Sequence, residues 1–309
     1  MNEDKIVSEI LSILSNQQNS DVLLGIGDDT AVIKWENGFL LFTCDTLVEE
    51  THFRREYFPL YNLGWKGMAV SVSDIYAMGG EPKFALVSLG IPKGQEEKIR
   101  EIYRGIKDFS SHFHLSVVGG NLSSSPFFWI EVAVIGKTDR PITREGAKDG
   151  DLIVVSGYPG EARAGRELLE KKLKGDSHLK KRFLQPYPRR EILEIIEKLP
   201  VNSMIDISDG VGKDMGRILK ASGKGAYLER EKFPLSSSLK SLAREKSFRY
   251  FWEGGEDYEM LFTVSGEVSI PSSIEGVPLT VIGRVTGNKG EINTSQGVLK
   301  IEGFDHFGS

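Results

Sequence analysis

The 309-residue chain has one cysteine, Cys44. A single thiol cannot close an internal disulfide. That excludes the disulfide-framed secreted scaffolds and points to a reducing, cytoplasmic setting. Long hydrophobic runs are missing as well: nothing approaches the ~20 apolar residues that cross a bilayer as a helix. The first residues, Met1 to Lys5, are acidic, and apolar residues follow at helical spacing through Leu14. This is unlike the basic head and continuous apolar stretch of an export signal. Positive charge is not in excess, since 39 Lys and Arg stand against 44 Asp and Glu for a net charge of -5. Without a basic cluster on one face, nucleic acid is not an expected partner. The Lys/Arg pairs near Lys181 and Arg189 read as a solvated helical face. The familiar phosphate motifs are absent too. There is no G-x-x-x-x-G-K-[ST] and no H-R-D or D-F-G set, and Gly210 to Gly216 misses a dinucleotide fingerprint by one residue and reads as a helix start.

Apolar residues make up 39% of the chain and charged residues 27%, an ordinary globular balance with length for about two domains. A helix is expected over Ile6 to Leu14 and a strand over Phe39 to Thr43 running into Asp45. A helix over Leu63 to Met78 closes at Gly79-Gly80. Phe84 to Leu89 reads as a strand, Glu96 to Phe109 as a helix, and Leu115 to Val118 as a strand ending in Gly119-Gly120. Trp129 to Ile135 reads as another strand. The polar stretch from Thr138, with Pro141, Gly146 and Gly150, reads as a linker. The expected division is therefore an N-terminal domain over 1–137, a linker over 138–150 and a C-terminal domain over 151–309. In the second half, Leu152 to Ser156 reads as a strand, and Glu161 to Lys172 and Arg189 to Lys198 as helices. Met204 to Ile207 reads as a strand, Val211 to Ala221 as a helix, and Tyr258 to Ile301 as strands with turns. Strands and helices mix without strict alternation, which favours two α+β domains.

The chemistry is carried by acids in unusual places. Most acids sit on exposed helix faces, but several here lie at the ends of apolar strands or beside glycines, where loops meet a core and ligands dock. Asp28 and Asp29 follow Gly25 and Gly27, with an Asx turn as the bland alternative. Asp45 ends the run Leu40 to Cys44, where a carboxylate is costly unless paired or metal-bound. Asp74 is the only acid between Lys66 and Glu81, on a helix whose other faces are apolar or small. It needs a cation or donors. Asp206 and Asp209 flank Ser208 ahead of Gly210, and Glu256 and Asp257 follow Gly254-Gly255. Hard carboxylates in a chain with five histidines and one cysteine favour Mg2+ over Zn2+. Such Mg2+ sites complete an octahedron with phosphate oxygens, and the paired glycines can offer N–H groups to phosphates. The residues alone therefore point to nucleotide-phosphate chemistry.

Taken in order, the motifs Gly27-Asp-Asp-Thr-Ala31, Thr43-Cys-Asp-Thr46, His52-Phe53, Gly67 to Gly80, Gly119-Gly120, Asp206-Ile-Ser-Asp-Gly210 and Gly254-Gly-Glu-Asp-Tyr258 resemble the thiamine-monophosphate kinase family. That family lies within the aminoimidazole ribonucleotide synthetase superfamily. The resemblance spans nearly the whole chain. It implies a homodimer paired through its N-terminal sheets, and ATP-dependent phosphorylation of thiamine monophosphate to thiamine diphosphate by direct in-line transfer. It implies Mg2+ held by Asp28, Thr43, Asp45, Asp74 and Asp206, with Cys44 contributing its carbonyl, Asn121 a side-chain oxygen, and Asp209 near a further ion. ATP contacts fall to Tyr103, Gly120, Asn121, Arg144 and Ser208, and contacts with the thiamine substrate to His52, Glu256 and Phe304. No side chain acts as a covalent catalyst. The family carries Asp where this chain has Asn121, which removes one negative charge. Rival readings are another ATP-using enzyme of the superfamily, a metal-dependent phosphatase, or a non-catalytic ATP- and metal-binding module.

Overall fold

The computed structural model describes residues 3–14, 19–301 and 303, so Phe304 lies outside the described residues. The first half runs α1 (Glu3–Leu14), β1 (Val22–Leu24), β2 (Ala31–Trp35), β3 (Gly38–Val48), α2 (Leu60–Ala77), β4 (Glu81–Ile91), α3 (Ile99–Phe113), β5 (Ser116–Ser124) and β6 (Trp129–Thr138). The second half begins β7 (Leu152–Ser156), α4 (Glu161–Glu170), α5 (Ser177–Leu184), α6 (Ile192–Lys198), β8 (Val201–Asp206), α7 (Val211–Ser222) and β9 (Gly225–Leu228). It ends α8 (Ser237–Ala243), α9 (Ser247–Glu253), β10 (Met260–Val264), β11 (Ser273–Ile274), β12 (Val277–Thr286), β13 (Ile292–Thr294) and β14 (Gly297–Val298). The chain thus forms two α+β domains, as its pattern implied.

Each domain is built on one mixed sheet. The N-terminal sheet has the order β1-β2-β3-β6-β4-β5. Its pairs are antiparallel except β4 with β5, which α3 joins as a parallel crossover. The C-terminal sheet has the order β14-β13-β9-β12-β7-β10-β8, with β11 paired to β12. β7 and β10 are buried at every position, as continuous apolar runs demand.

α2 is the axis of the molecule. Met68, Ala69, Val72 and Ile75 are fully buried. They cover the sheet face that carries Ala85, Val87, Val132 and Val134. α3 packs on the other side of α2 through a reciprocal glycine contact. A Cβ added to Gly64 would lie 2.0 Å from the Ile102 carbonyl oxygen, and one added to Gly105 would lie 2.0 Å from the Tyr61 oxygen. Only glycine permits that backbone approach. The apolar core containing α2 continues into the second domain through Val154, Phe183, Met204 and Phe262.

Three local expectations change. The strand expected to stop at Thr43 continues to Val48, which places Asp45 inside β3. The strand expected to end at Gly119-Gly120 runs through both glycines to Ser124. The physical reason is that Gly120 has a φ of 150° and lies so close to β4 that a Cβ would sit 1.8 Å from the Val87 oxygen. The glycines serve strand pairing there and do not form a turn. The basic residues near Lys181 and Arg189 are only in part a solvated face. Arg182 and Arg189 turn inward onto Glu259, which is fully buried and also accepts a hydrogen bond of 2.7 Å from Ser156 Oγ.

Burial alone would raise the pKa of Glu259, but Arg189 and Arg182 overcome it and hold the carboxyl down to about 2. Removing the charge leaves Arg189 without its buried carboxylate and Arg182 with Glu161, at 3.5 Å, as its remaining one. Glu259→Gln is therefore expected to cost roughly 3–5 kcal/mol in urea unfolding at pH 7. The loss should shrink as the pH falls from about 4.5 toward 2, because protonation removes the same charge from the unaltered chain.

Candidate functional site

Four carboxylates converge where α2 meets both domains. Asp29 lies just before β2, Asp45 within β3, Asp74 in the last third of α2, and Asp206 at the end of β8. One oxygen from each of Asp29, Asp74 and Asp206 falls within 4.8 Å of the other two. Asp45 joins from the sheet, its carboxyl facing Ser71 and Asp74. Few donors reach this group. Thr43 Oγ1 donates to Asp74 Oδ2 at 2.6 Å, and Ser73 Oγ donates to Asp206 Oδ2 at 2.7 Å. Asp29 Oδ2 and Asp45 Oδ2 are buried with no hydrogen-bond partner.

That is an electrostatic conflict. Burial first, then neighbouring carboxylates, push Asp74 and Asp206 well above the usual carboxylate range. Burial also raises Asp45. Asp28 is pushed up to about 6 by burial and by Asp29, against the opposing pull of Arg144. Buried anions this crowded stay charged only beside a cation. The donor set is all oxygen, which suits Mg2+ and does not suit Zn2+. Oxygens around one octahedral Mg2+ are separated by about 3–4 Å, and the spacing of these carboxylates is compatible with that. The two unpartnered oxygens are the ones a cation would satisfy, so the residues fit the ion.

Arg144 stands beside the cluster. Its Nη2 is 2.5 Å from Asp29 Oδ1, and its backbone N–H donates to Asp28 Oδ2 at 3.0 Å. Asp209, adjacent in sequence to the cluster, lies against Arg217 Nη2 at 2.6 Å and Lys213 Nζ at 3.0 Å. It is not among the three mutually close carboxylates. The turn after β8 is fixed by Asp214, whose Oδ2 accepts the N–H groups of Ser208 and Asp209 at 3.1 and 3.0 Å.

Other expected site residues fall elsewhere. Tyr103 lines a cavity of about 310 Å3 between α3 and β5, together with Ile106, Lys107, Ser110 and Val117. It lies three strands from β3, about 14 Å across the sheet. Cys44 and Asn121 occupy rows of the sheet that alternate with those of Asp45 and Gly120, so their side chains lie on the face away from α2. In one chain that face does not meet the carboxylates. His52 follows β3, and its Nδ1 accepts the Val48 N–H at 3.0 Å, which leaves the ring proton on Nε2. Glu256 is in the loop between α9 and β10, its N–H bonded to the Ser208 oxygen at 2.8 Å. Its carboxylate meets Lys66 Nζ at 2.6 Å. Its neighbour Asp257 instead caps α4, accepting the N–H groups of Gly160 and Ala162 at 2.6 and 2.9 Å.

Known proteins with these features answer the question of kinship. Residues 27–138 match the AIR synthase related protein N-terminal domain, and residues 148–294 match its C-terminal domain. A thiamine-monophosphate kinase of Aquifex aeolicus is 38% identical over 290 residues, covering 91% of this chain and 92% of that protein. The chain belongs to the thiamine-monophosphate kinase family. Another member, from Escherichia coli strain K12, is 35% identical, with 93% of each chain covered. The solved structure of AaThiL complexed with AMPPCP and TMP superposes with a TM-score of 0.89 at 35% identity, covering 99% of this chain and 97% of that one. The resemblance read from the ordered motifs is thereby borne out.

Two features of this family member escaped the sequence reading. Asp29 was noted beside Asp28 but not assigned as a ligand, and it is Asp29 that meets Asp74 and Asp206. The second is Lys66. It is a lone charge on α2 in the same sense as Asp74, and that signal was available.

The crowding has a measurable sign. Folded carboxyls raised above 3.8 keep protons that the unfolded chain has released, so the metal-free protein loses stability as pH rises through about 6 and beyond. A bound cation removes that loss. Saturating Mg2+ is expected to raise Tm by about 5 °C or more at pH 7.5 and by less at pH 5. Asp74→Asn should raise the metal-free Tm at pH 7.5 and abolish the Mg2+ response. Differential scanning calorimetry at the two pH values reads both effects, and an Mg2+ response retained in Asp74→Asn would remove the cluster from metal binding.

Proposed function

We propose that this protein is a cytoplasmic, Mg2+-dependent kinase that transfers the γ-phosphoryl group of ATP to the phosphate of thiamine monophosphate, giving thiamine diphosphate and ADP. The observation that carries the reading is the crowded, donor-poor carboxylate cluster at the junction of the domains. It occurs in a chain that shares more than a third of its residues with thiamine-monophosphate kinases over nine-tenths of its length. The related structure holding AMPPCP and TMP supports the same pair of ligands here.

Asp28, Asp29, Thr43, Asp45, Asp74 and Asp206 would hold Mg2+, with the Cys44 carbonyl close to them in sequence. Bound Mg2+ neutralises phosphate charge and orients the transferring group. The protein's own contribution is positioning. Arg144 is close enough to the cluster to exchange Asp29 for a phosphate oxygen, a pairing its planar fork suits. Ser208 and Gly120 would contact the nucleotide, and Asp209 would exchange Arg217 and Lys213 for a further ion. Tyr103 and the apolar floor of its cavity suit an adenine ring. His52, Glu256 and Phe304 would contact the thiamine substrate. An acceptor phosphate is already ionised near neutral pH, so no side chain need remove a proton. Its oxygen attacks the γ-phosphorus in line as the bond to the β-phosphate oxygen breaks, and ADP leaves. No phosphoenzyme forms.

The open face of the N-terminal sheet supports a homodimer. Phe84 and Leu86 on β4 are 49% and 47% exposed on that face, and Val118, at the register shift of the edge strand β5, is 59% exposed. An apolar sheet face of this kind marks an interaction surface, and a second copy of the same sheet is its natural cover. Asn121 lies on this face, where a carboxamide in place of a carboxylate lowers the local negative charge. Neither nucleic acid nor membrane is proposed as a partner. No helix among the described residues is long and apolar enough to cross a membrane.

Purified protein with ATP, Mg2+ and thiamine monophosphate is expected to yield ADP and thiamine diphosphate in equal amounts by chromatography. Asp74→Ala should lower the rate by at least about a hundredfold. ADP and free phosphate without thiamine diphosphate would indicate a phosphatase, and tight ATP binding without turnover a binding module. For the interface, Leu86→Glu is expected to convert a dimer into a monomer in sedimentation velocity with circular dichroism unchanged. An unaltered sedimentation coefficient would exclude that face.

A further inference from the structure

α2 carries a second lone charge two turns before Asp74. Lys66 is 1% exposed, among the most completely buried large side chains. Its ammonium lies 3.9 Å from the ring centroid of Phe183 on α5 and 5.7 Å from that of Phe58. Among the described residues its salt-bridge partner is Glu256 Oε1 at 2.6 Å, across the boundary between the two domains. The loop bearing Glu256 is held in an uncommon shape. Glu256 has a φ of 69°, its N–H is fixed to the Ser208 oxygen, and the next residues anchor α4 and the buried arginines.

Burying an ammonium costs free energy, and a buried ion pair seldom outweighs an apolar side chain of the same size. Packing alone is therefore a poor reason for a lysine here. The geometry supplies a better one. Lys66 occupies one carboxylate oxygen of Glu256 from the protein side, while the side chain remains 21% exposed. The other oxygen, Oε2, has only a distant cation, Arg166 Nη1 at 3.8 Å. That guanidinium is drawn away by Glu170 Oε1 at 2.7 Å, which also accepts from Tyr57 Oη at 3.4 Å. Glu256 thus presents one satisfied oxygen and one nearly open.

We propose that Lys66 is a positioning residue for substrate recognition: it fixes Glu256 so that the open oxygen meets the positively charged thiazolium portion of the substrate. The proposal deepens the function proposed above and rests on it, specifically on Glu256 contacting thiamine monophosphate. A cationic ring needs an aimed, ionised carboxylate. Lys66 supplies the aim from the N-terminal domain to a carboxylate of the C-terminal domain.

The test is steady-state kinetics of thiamine diphosphate formation by Lys66→Met, Glu256→Gln and the double variant, with ATP and thiamine monophosphate varied separately. Lys66→Met keeps the buried stem and removes the charge. It is expected to raise KM for thiamine monophosphate about tenfold while KM for ATP stays within about twofold. The double variant should be no worse than Glu256→Gln, because the two residues act as one unit. Should Lys66→Met fail to fold, Lys66→Gln, which keeps a donor toward Oε1 and loses the charge, is expected to raise KM for thiamine monophosphate by less than Lys66→Met, again with KM for ATP within about twofold. A KM for thiamine monophosphate unchanged in the lysine variant, a parallel rise in both KM values, or multiplying effects in the double variant would overturn the positioning role with the kinase reading intact. An unaltered protein that forms no thiamine diphosphate would overturn the kinase reading itself and this proposal with it.

Discussion

Repulsion among buried carboxylates is the constraint around which this molecule is organised. Asp29, Asp45, Asp74 and Asp206 come from a loop, a strand, a helix and a second domain, and among the described residues the hydroxyl groups of Thr43, Ser71 and Ser73 and the guanidinium of Arg144 oppose them. Taking several anions out of water into one place is far more costly than any local gain from packing could offset. Protons can relieve the crowding at low pH, and the raised pKa values of Asp74 and Asp206 reflect this. At neutral pH the relief must come from cations.

α2 makes the arrangement possible. It is buried on nearly all sides and wedged between the N-terminal sheet and the core of the second domain. The glycine contact with α3 fixes its depth, and Asp74 inherits its position from that packing. Lys66 inherits its position in the same way, with the opposite solution: a single carboxylate from the other domain neutralises it. The C-terminal side is held equally firmly. Glu259, clamped by Arg182 and Arg189, and Asp257, capping α4, anchor the loop from which Glu256 projects. Asp257 and Glu259 thus support the loop that carries Glu256.

Much of this was legible in the residues, for reasons specific to each. Leu152–Ser156 reads in full because a continuous apolar, β-branched run has no other stable use, and α7 is marked by Gly210 before it and Gly223 after it. Asp74 stands out because a helix with no polar face cannot carry a charge idly. The same logic applies to Lys66, but a lysine is easily taken for a solvated end of the helix. β1, β2 and β9 were missed because each is short, three to five residues long, and two border on glycines. α5 was read only as helical-looking surface, and its Arg182 was placed in solvent because its partner, Glu259, is 77 positions away in sequence. Local pattern cannot reveal a pairing made by tertiary structure. The side on which Asn121 lies depended likewise on the register of β5 against β4, which the glycines set through close backbone approach.

The central claim is that the carboxylate cluster is a divalent-cation site that serves the nucleotide. Anomalous diffraction from crystals grown with Mn2+ in place of Mg2+, together with a non-hydrolysable ATP analogue, tests it most directly. The account predicts a manganese peak within bonding distance of oxygens from Asp74 and Asp206 and of at least one of Asp29 and Asp45, adjacent to the phosphates. Nucleotide bound with manganese elsewhere, or with these carboxylates free of metal, would contradict it.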